Sequence, residues 1–431
     1  MKSLHLTNAW HGSSGGIGTF YRALLEAAER ERQYVRLVVP GEDTRIEDTG
    51  DFGRIYTIEA PRAPFDSSYR IIFPHRFLLP RTALHRIVTE ERPDLVEVSE
   101  KYTMHWFAGQ LRTRRALGIR VRPTVVGLSC ERMDENVAAY VSRSGVAQAF
   151  CRLYMKAVYF PCFDHHVSVS EHTAAELIDA SRGHKVRRGI WIASMGVDCA
   201  RFSPSRRSEE GRRELLMRAA APPHTRLLLY AGRLAPEKNL SLLINAMEQL
   251  PAQEYRLLIA GDGILRAQLE IESRQRGLDH VVFLGHIGDR ESLASCYANC
   301  DVFVHPNPRE PFGIAPLEAM AAGLPLVAPA SGGVTSYADA GNSWLAPPTP
   351  QAFALAIQSV FRDRSETEQR CLCARRTAEQ LAWPVVTSRY LRLYRELNQL
   401  TRGQQATLTF TPRIWSTPGD LFGREYKVRP N

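Results

Sequence analysis

The sequence predicts an α/β protein with two parallel-sheet domains, and three observations lead there. Short runs of Val, Ile and Leu alternate with segments of helical periodicity. The runs are apolar at consecutive positions rather than at every second one, as strands buried on both faces must be. The alternation breaks off near residue 200 and resumes at Leu227. Strands that alternate with helices form a doubly wound sheet, so the chain reads as two Rossmann-like halves.

In the first half, residues 1–200, the runs are Leu4–Thr7, Val35–Val39, Ile55–Ile58, Leu95–Val98, Thr124–Val126, Val167–Val169 and Ile190–Ala193, with a first helix read from Phe20, Leu24, Ala27 and Ala28. Residues 201–224 carry Pro204, an Arg/Ser/Glu-rich stretch and Pro222-Pro223, and are expected to be an exposed linker. In the second half, residues 225–385, the runs are Leu227–Ala231, Leu257–Ala260, Val281–Leu284, Val302–His305 and Leu326–Ala328. A helix follows over residues 386–400. The last stretch, 401–431, is Gly, Gln, Thr and Pro without periodicity and is expected to be disordered.

A length of 431 residues with 44% apolar and 23% charged side chains excludes a fibre or a disordered chain. The longest apolar stretches, such as Ala157–Phe163, are too short for a spanning helix, which needs about 18 residues. The first residues read as a strand, not as a secretory leader, so a cytoplasmic protein is expected. Its 8 Cys are too few for a disulfide framework and show no zinc spacing. The net charge of +9 calls for an anionic partner: nucleic acid, a lipid surface or a phosphorylated small molecule. Nucleic acid is disfavoured, because Arg is spread over both halves among 46 acidic residues rather than gathered in a stripe.

Three motifs sit where chemistry is expected. Gly15-Gly16-Ile17-Gly18-Thr19 joins the first strand to a helix, where glycines allow close backbone approach and free N–H groups suit a phosphate. It lacks the Gly-x-Gly-x-x-Gly fingerprint of a nicotinamide enzyme. Gly232-Arg233 through Lys238 follows the first strand of the second half and can bring two cations to the crevice at that strand's end. In Pro308-Arg309-Glu310-Pro311-Phe312-Gly313-Ile314-Ala315-Pro316-Leu317-Glu318, a helix is predicted to start near Gly313 and present its N-terminus to a ligand. Glu310 and Glu318 beside it suit sugar and ribose hydroxyls. A buried Glu318 without such a ligand would be an unpaired charge.

These motifs, with Gly261-Asp262-Gly263 and Phe283-Leu284-Gly285-His286, resemble in order and spacing the family-4 (group 1) retaining glycosyltransferases of GT-B fold, over roughly residues 1–400. The resemblance implies two Rossmann-like domains with parallel sheets facing a central cleft, and a C-terminal helix packing back on the first domain. It implies that Gly15, Gly16, Gly232, Gly261 and Gly263 bind the donor. Arg233 and Lys238 would neutralise the departing diphosphate, and Glu310 would hold the transferred sugar with the N–H groups of Phe312, Gly313, Ile314 and Ala315. Glu318 would bind the ribose, and His286 and Ile287 the base. The acceptor half is similar to mannosyltransferases acting on phosphatidylinositol-type glycolipids, through Tyr69 and Arg70 and through Ser129-Cys130-Glu131-Arg132-Met133-Asp134. Those relatives carry His where this chain has Cys130, and a thiol cannot reproduce imidazole chemistry at pH 7.

The reading that results is a hexosyltransferase moving mannose from GDP-mannose, with a UDP-sugar as the alternative donor, to a glycolipid or glycan. A scaffold that binds a nucleotide sugar without transferring it is a further alternative. No cofactor is expected beyond the nucleotide sugar as substrate, and no metal, since no Asp-x-Asp triplet occurs. Between Ala60 and Arg122 there are 12 Lys and Arg against 6 Asp and Glu, interleaved with Ile71-Ile72-Phe73 and Phe77-Leu78-Leu79. Peripheral contact of this segment with the inner face of an anionic membrane is expected.

Overall fold

The computed structural model describes residues 1–11, 15–63, 66–77, 79, 81–113, 122–182 and 189–403. The expected tail at 401–431 lies, from residue 404 onward, outside the described residues, as does Leu78. The chain divides into two units. One comprises the described parts of Met1–Ala138, Ser142–Ser194 and Pro384–Asn431, the other Ala139–Val141 and Met195–Trp383.

The first unit is built on β1 (Lys2–Leu6), β2 (Tyr34–Gly41), β3 (Arg45–Asp48), β4 (Gly53–Glu59), the small pair β5 (Arg62–Ala63) and β6 (Asp66–Arg70), then β7 (Leu95–Val98), β8 (Thr124–Ser129), β9 (His165–Ser168) and β10 (Ile190–Ile192). Eight of them form one sheet in the order β10-β9-β8-β7-β1-β2-β4-β3. Every pairing is parallel except β3 against β4. The seven parallel strands coincide with the seven apolar runs. The eighth, β3, has the sequence Arg-Ile-Glu-Asp and is exposed throughout, so it carries no apolar signal and blunts the sheet edge with charge. Helices α1 (Gly16–Glu31), α2 (Ala83–Glu91), α3 (His105–Arg112), α4 (Met133–Tyr140), α5 (Gly145–Tyr154) and α6 (Glu171–Ser181) complete the alternation.

In place of the expected linker, η-turn Pro204–Arg206 and α7 (Glu209–Arg218) are part of the second unit. Ser208 caps α7 by accepting from Gly211 N–H at 3.1 Å, Leu215 and Leu216 are buried, and Arg212 pairs with Asp301 at 2.8 Å. Proline and charge density suggest a linker, but Arg207 and Arg212 are spent on Asp301 and on the carbonyls of Cys300 and Asn299, at the turn from the helix Arg290–Asn299 to the strand Val302–Val304. The second sheet contains β11 (Arg226–Ala231), β12 (Tyr255–Ala260), β13 (Val281–Gly285), β14 (Val302–Val304), β15 (Leu326–Pro329) and β16 (Trp344–Ala346), all parallel in the order β13-β12-β11-β14-β15-β16. Its helices are α8 (Ser241–Met247), α9 (Arg266–Gln275), α10 (Arg290–Asn299), α11 (Ile314–Ala321), α12 (Pro350–Val360) and α13 (Arg364–Gln380).

The final helix, α14 (Trp383–Thr401), packs on the first unit from Pro384 onward. Tyr390, Leu391, Leu393, Tyr394 and Leu397 are buried. Tyr390 OH donates to the Ala193 carbonyl at 2.6 Å and Arg30 reaches Thr387 at 3.1 Å.

Candidate active site

In a doubly wound sheet, ligands bind beyond the carboxyl ends of the strands where the strand order reverses. In the second unit that point lies between β11 and β14. Gly232 and Arg233 leave the end of β11, and the segment His305 to Glu310 leaves the end of β14. Lys238 Nζ donates to Glu310 Oε2 at 2.8 Å and to Oε1 at 3.1 Å, so two residues 72 positions apart meet in the crevice. Asn307 donates to Glu310 Oε2 at 3.0 Å. Burial alone would raise the Glu310 carboxyl, but Lys238, His305 and Asn307 outweigh it and hold it at about 2. The carboxylate is ionised at neutral pH, oriented and nearly buried. Arg233 pairs with Glu237 at 3.1 Å and keeps half of its side chain in solvent.

The helix start is where the sequence puts it. Gly313 caps α11 with φ 92°, a left-handed conformation that disfavours a side chain, and no side chain caps the helix. Its first N–H groups, from Ile314 and Ala315, are therefore among those without an intrahelical partner. Phe312 is buried against Tyr337, with ring centroids 5.0 Å apart, and Tyr337 OH donates to the Gly313 carbonyl. Glu318 corrects the sequence argument. It is not an unpaired charge, because Arg290 donates to Oε1 at 3.0 Å and Tyr297 OH to Oε2 at 3.2 Å. Burial raises its pKa, with Arg290 and Tyr297 opposing. The need for a ligand therefore does not follow from burial.

Gly261 and Gly263 have a packing reason to be glycine. A Cβ on Gly261 would lie 1.9 Å from the Gly232 carbonyl oxygen, and one on Gly263 would lie 2.4 Å from that of Leu234. They hold the β11 and β12 turns together. His286, exposed, and Ile287, half-buried, follow β13 in a loop.

Three contributors escaped the sequence reading. Asn307 is one. His305 is 4% exposed, with Nε2 3.6 Å from Glu310 Oε2 and without a hydrogen-bond partner. Burial lowers it to about 4, so the ring is neutral at pH 7. The third is the turn after β15, where Gly333 N–H donates to the Glu310 carbonyl at 2.6 Å and a Cβ would come within 2.0 Å of the Pro311 carbonyl oxygen. The Ser331-Gly332-Gly333 run was the available signal.

In the first unit the order reverses between β1 and β7. Gly15 caps α1 without a side-chain bond, and a Cβ on it would meet nothing within 4 Å. Among the described residues, open space and a bare helix start at Gly15 and Gly16 leave room for an anion. The charges beyond β7 are committed inward. Lys101, 1% exposed, donates to Glu176 Oε2 at 2.5 Å and to the Glu131 carbonyl, while Glu176 Oε1 accepts from Met133 N–H at 2.8 Å. Asn136 donates to Glu131 Oε2 at 2.8 Å, and Arg132 pairs with Asp134 at 2.7 Å. Burial raises the Glu131 carboxyl and pushes the Cys130 thiol up.

Tyr69 and Arg70 are held by other partners. The Tyr69 ring lies 3.8 Å from that of His11, and Arg70 donates to the Ala60 carbonyl at 2.7 Å and to Glu42 at 2.6 Å. The basic segment Ala60–Arg122 is divided between core and surface. Ile72 and Phe77 are core residues, Arg112 and Arg122 pair with Asp164, and Lys101 is buried. Leu79 is 65% exposed between exposed Arg76 and Arg81, and Leu78, Arg114, Arg115 and Arg120 of this segment lie outside the described residues.

Comparison with known proteins now fits this geometry. Residues 14–201 match the model of Glycosyltransferase Family 4, and residues 212–377 that of Glycosyl transferases group 1. The chain is 31% identical over 387 residues to a Mycobacterium tuberculosis protein named GDP-mannose-dependent alpha-(1-6)-phosphatidylinositol dimannoside mannosyltransferase, covering 89% of this chain and 93% of the relative. It is 29% identical to a GDP-mannose-dependent alpha-mannosyltransferase of the same species, covering 85% and 87%. Among solved structures it is similar in fold to sucrose-phosphate synthase from Thermosynechococcus elongatus, with TM-score 0.72, 23% identity and coverage of 94% and 100%. HepE of Anabaena, solved with UDP and glucose, gives TM-score 0.64, 20% identity and coverage of 91% and 99%. With two parallel-sheet units of GT-B type and both family models matched in order, the chain belongs to the group 1 glycosyltransferases and is a hexosyltransferase.

Proposed function

We propose that the protein is a retaining, metal-independent transferase that moves mannose from GDP-mannose to a glycolipid or glycan acceptor at the cytoplasmic face of a membrane. The observation that carries the proposal is the Lys238–Glu310 pair at the β11/β14 crossing, beside the start of α11. Breaking a glycosyl-phosphate bond places positive charge on the sugar and negative charge on the leaving diphosphate. Lys238 and Arg233 supply the cations for that diphosphate, and the N–H groups of Ile314 and Ala315 add to them. Glu310, ionised and fixed by Lys238 and Asn307, accepts hydrogen bonds from the sugar hydroxyls. Glu318 would take a ribose hydroxyl by exchanging the half-exposed Arg290. Gly16 would contact the diphosphate through its backbone, and His286 and Ile287 the base.

The donor is proposed from the names of the relatives, which are GDP-mannose-dependent. Thermal shift against GDP-mannose and UDP-glucose tests it, since a ligand at 100 times its Kd stabilises by about 2.7 kcal/mol. Stabilisation by the UDP-sugar alone overturns the mannosyl reading. Turnover that disappears in EDTA and returns with Mg²⁺ overturns metal independence.

A further inference from the structure

We propose that the outer face of α5 is a docking surface for an anionic lipid bilayer. Val146, Phe150 and Leu153 are 82%, 60% and 62% exposed. They stand four and then three residues apart, so they form one stripe along the helix, which Ala157 continues. The opposite face is committed to the core. Cys151 and Met155 are buried, and Tyr154 OH donates to the Lys101 carbonyl at 3.0 Å. The stripe is therefore not the helix's folding face turned outward. The helix is also built before any partner arrives, since Ser144 caps it by accepting from Ala147 N–H at 3.2 Å.

Charge selects the partner. Arg143, Arg152 and Lys156 flank the stripe, and no Asp or Glu occurs from Val141 to Phe163. Arg143 and Arg152 form no ion pair among the described residues. A preformed helix with large apolar side chains outward and cations at their borders fits the boundary between acyl chains and anionic headgroups. This deepens the glycolipid-acceptor reading and rests on it for its biological sense. It adds residues 143–157 to the Ala60–Arg122 segment as a membrane contact.

The test is co-sedimentation of the full chain with phosphatidylcholine vesicles, with and without phosphatidylglycerol. The wild type is compared with the triple variant Val146→Ser, Phe150→Ser, Leu153→Ser and with Arg143→Ser, Arg152→Ser. Transfer to a water-soluble glycan acceptor and thermal shift by GDP-mannose are measured on each protein, so failure of the transferase reading is seen separately. The wild type is expected to sediment with the anionic vesicles only. The triple variant is expected to bind at least about tenfold more weakly, because inserted apolar groups supply the partitioning. The arginine variant is expected to lose much of its preference for phosphatidylglycerol, with both variants keeping soluble-acceptor turnover. Wild-type binding that the triple variant retains in full overturns the surface. Absence of vesicle binding by a wild type that still binds donor overturns it too. A wild-type dimer in light scattering that the triple variant dissolves gives the face to a second copy instead, and overturns it as well.

Discussion

The two units share the parallel strand order on either side of its reversal and treat the charges there differently. In the second unit Lys238 retains 20% of its side-chain exposure and Arg233 retains 52%, and each is tied to one carboxylate. In the first, Lys101 is 1% exposed and Glu97 is fully buried, bonded by His5 at 3.1 Å, Tyr21 at 2.5 Å and Tyr394. A cation left partly in water can exchange its partner for a phosphate at little desolvation cost. A sealed one cannot, and its pair serves the fold. The same residue types thus leave exchangeable cations in one unit and make a polar core in the other.

The largest effect expected from this contrast is on stability in the first unit. Lys101→Met leaves Glu176 without its cation in a dry site, and removing one partner of a buried pair costs about 3–5 kcal/mol. Lys238→Met removes a cation whose own side chain is 20% exposed, against 1% for Lys101, and is expected to cost less. Urea denaturation followed by a probe in each unit checks this, and equal losses from the two substitutions would remove the distinction.

Acid is expected to act on both units through buried histidines, His105 with His85 in the first and His305 in the second. Burial lowers His105 and His305 from the usual 6.5 to about 4. The unfolded chain binds those protons first, so the stability each ring contributes is complete above pH 6.5 and is lost as pH falls toward 4. The shift corresponds to an effect on the order of 3 kcal/mol per ring. Glu310, depressed to about 2, adds a loss in the second unit that begins only below the ordinary carboxylate range of about 4.5. Melting curves between pH 7 and 4 should fall for both units, and His105→Gln should flatten the fall for the first alone. An unchanged slope in that variant would count against a buried neutral ring.

In the second unit the catalytic effect should exceed the structural one. Lys238→Ala is expected to lower turnover at saturating donor by at least about tenfold, equivalent to 1.4 kcal/mol. A folded variant with wild-type turnover would take Lys238 out of the reaction.

The same contrast explains what could be read from sequence. Continuous apolar runs located the parallel strands, because burial on both faces leaves no polar positions to interrupt them. Arg45–Asp48 and Trp344–Ala346 were invisible, one being a charged edge and the other only three residues long. Arg233, Lys238, Glu310 and the start of α11 were legible because they occupy short segments at strand ends. The partners of Glu318, however, come from α10, 21 and 28 residues away. Periodicity carries no information about such pairings. Lys101 and Glu176, 75 residues apart, were missed for that reason, and so was the outward stripe on α5, since a helix pattern does not say which face meets the core.

Cys130 should produce the smallest effect. The resemblance carried by Ser129–Asp134 leads to the expectation of a histidine at this position, which invites a catalytic role for the Cys130 thiol. Burial pushes that thiol up, and the carboxylates of Glu97 and Glu131 push it further, against the opposing charge of Lys101. A thiol so placed stays protonated at pH 7 and supplies neither a base nor a nucleophile. Cys130→Ser keeps a small polar group in the same space, so kcat/KM is expected to stay within about threefold of wild type, under about 0.7 kcal/mol. Iodoacetamide at neutral pH should leave turnover intact over the time in which accessible thiols react. Rapid inactivation that Cys130→Ser abolishes would show a reactive thiolate, and would mean that the first unit's polar core is open to chemistry after all.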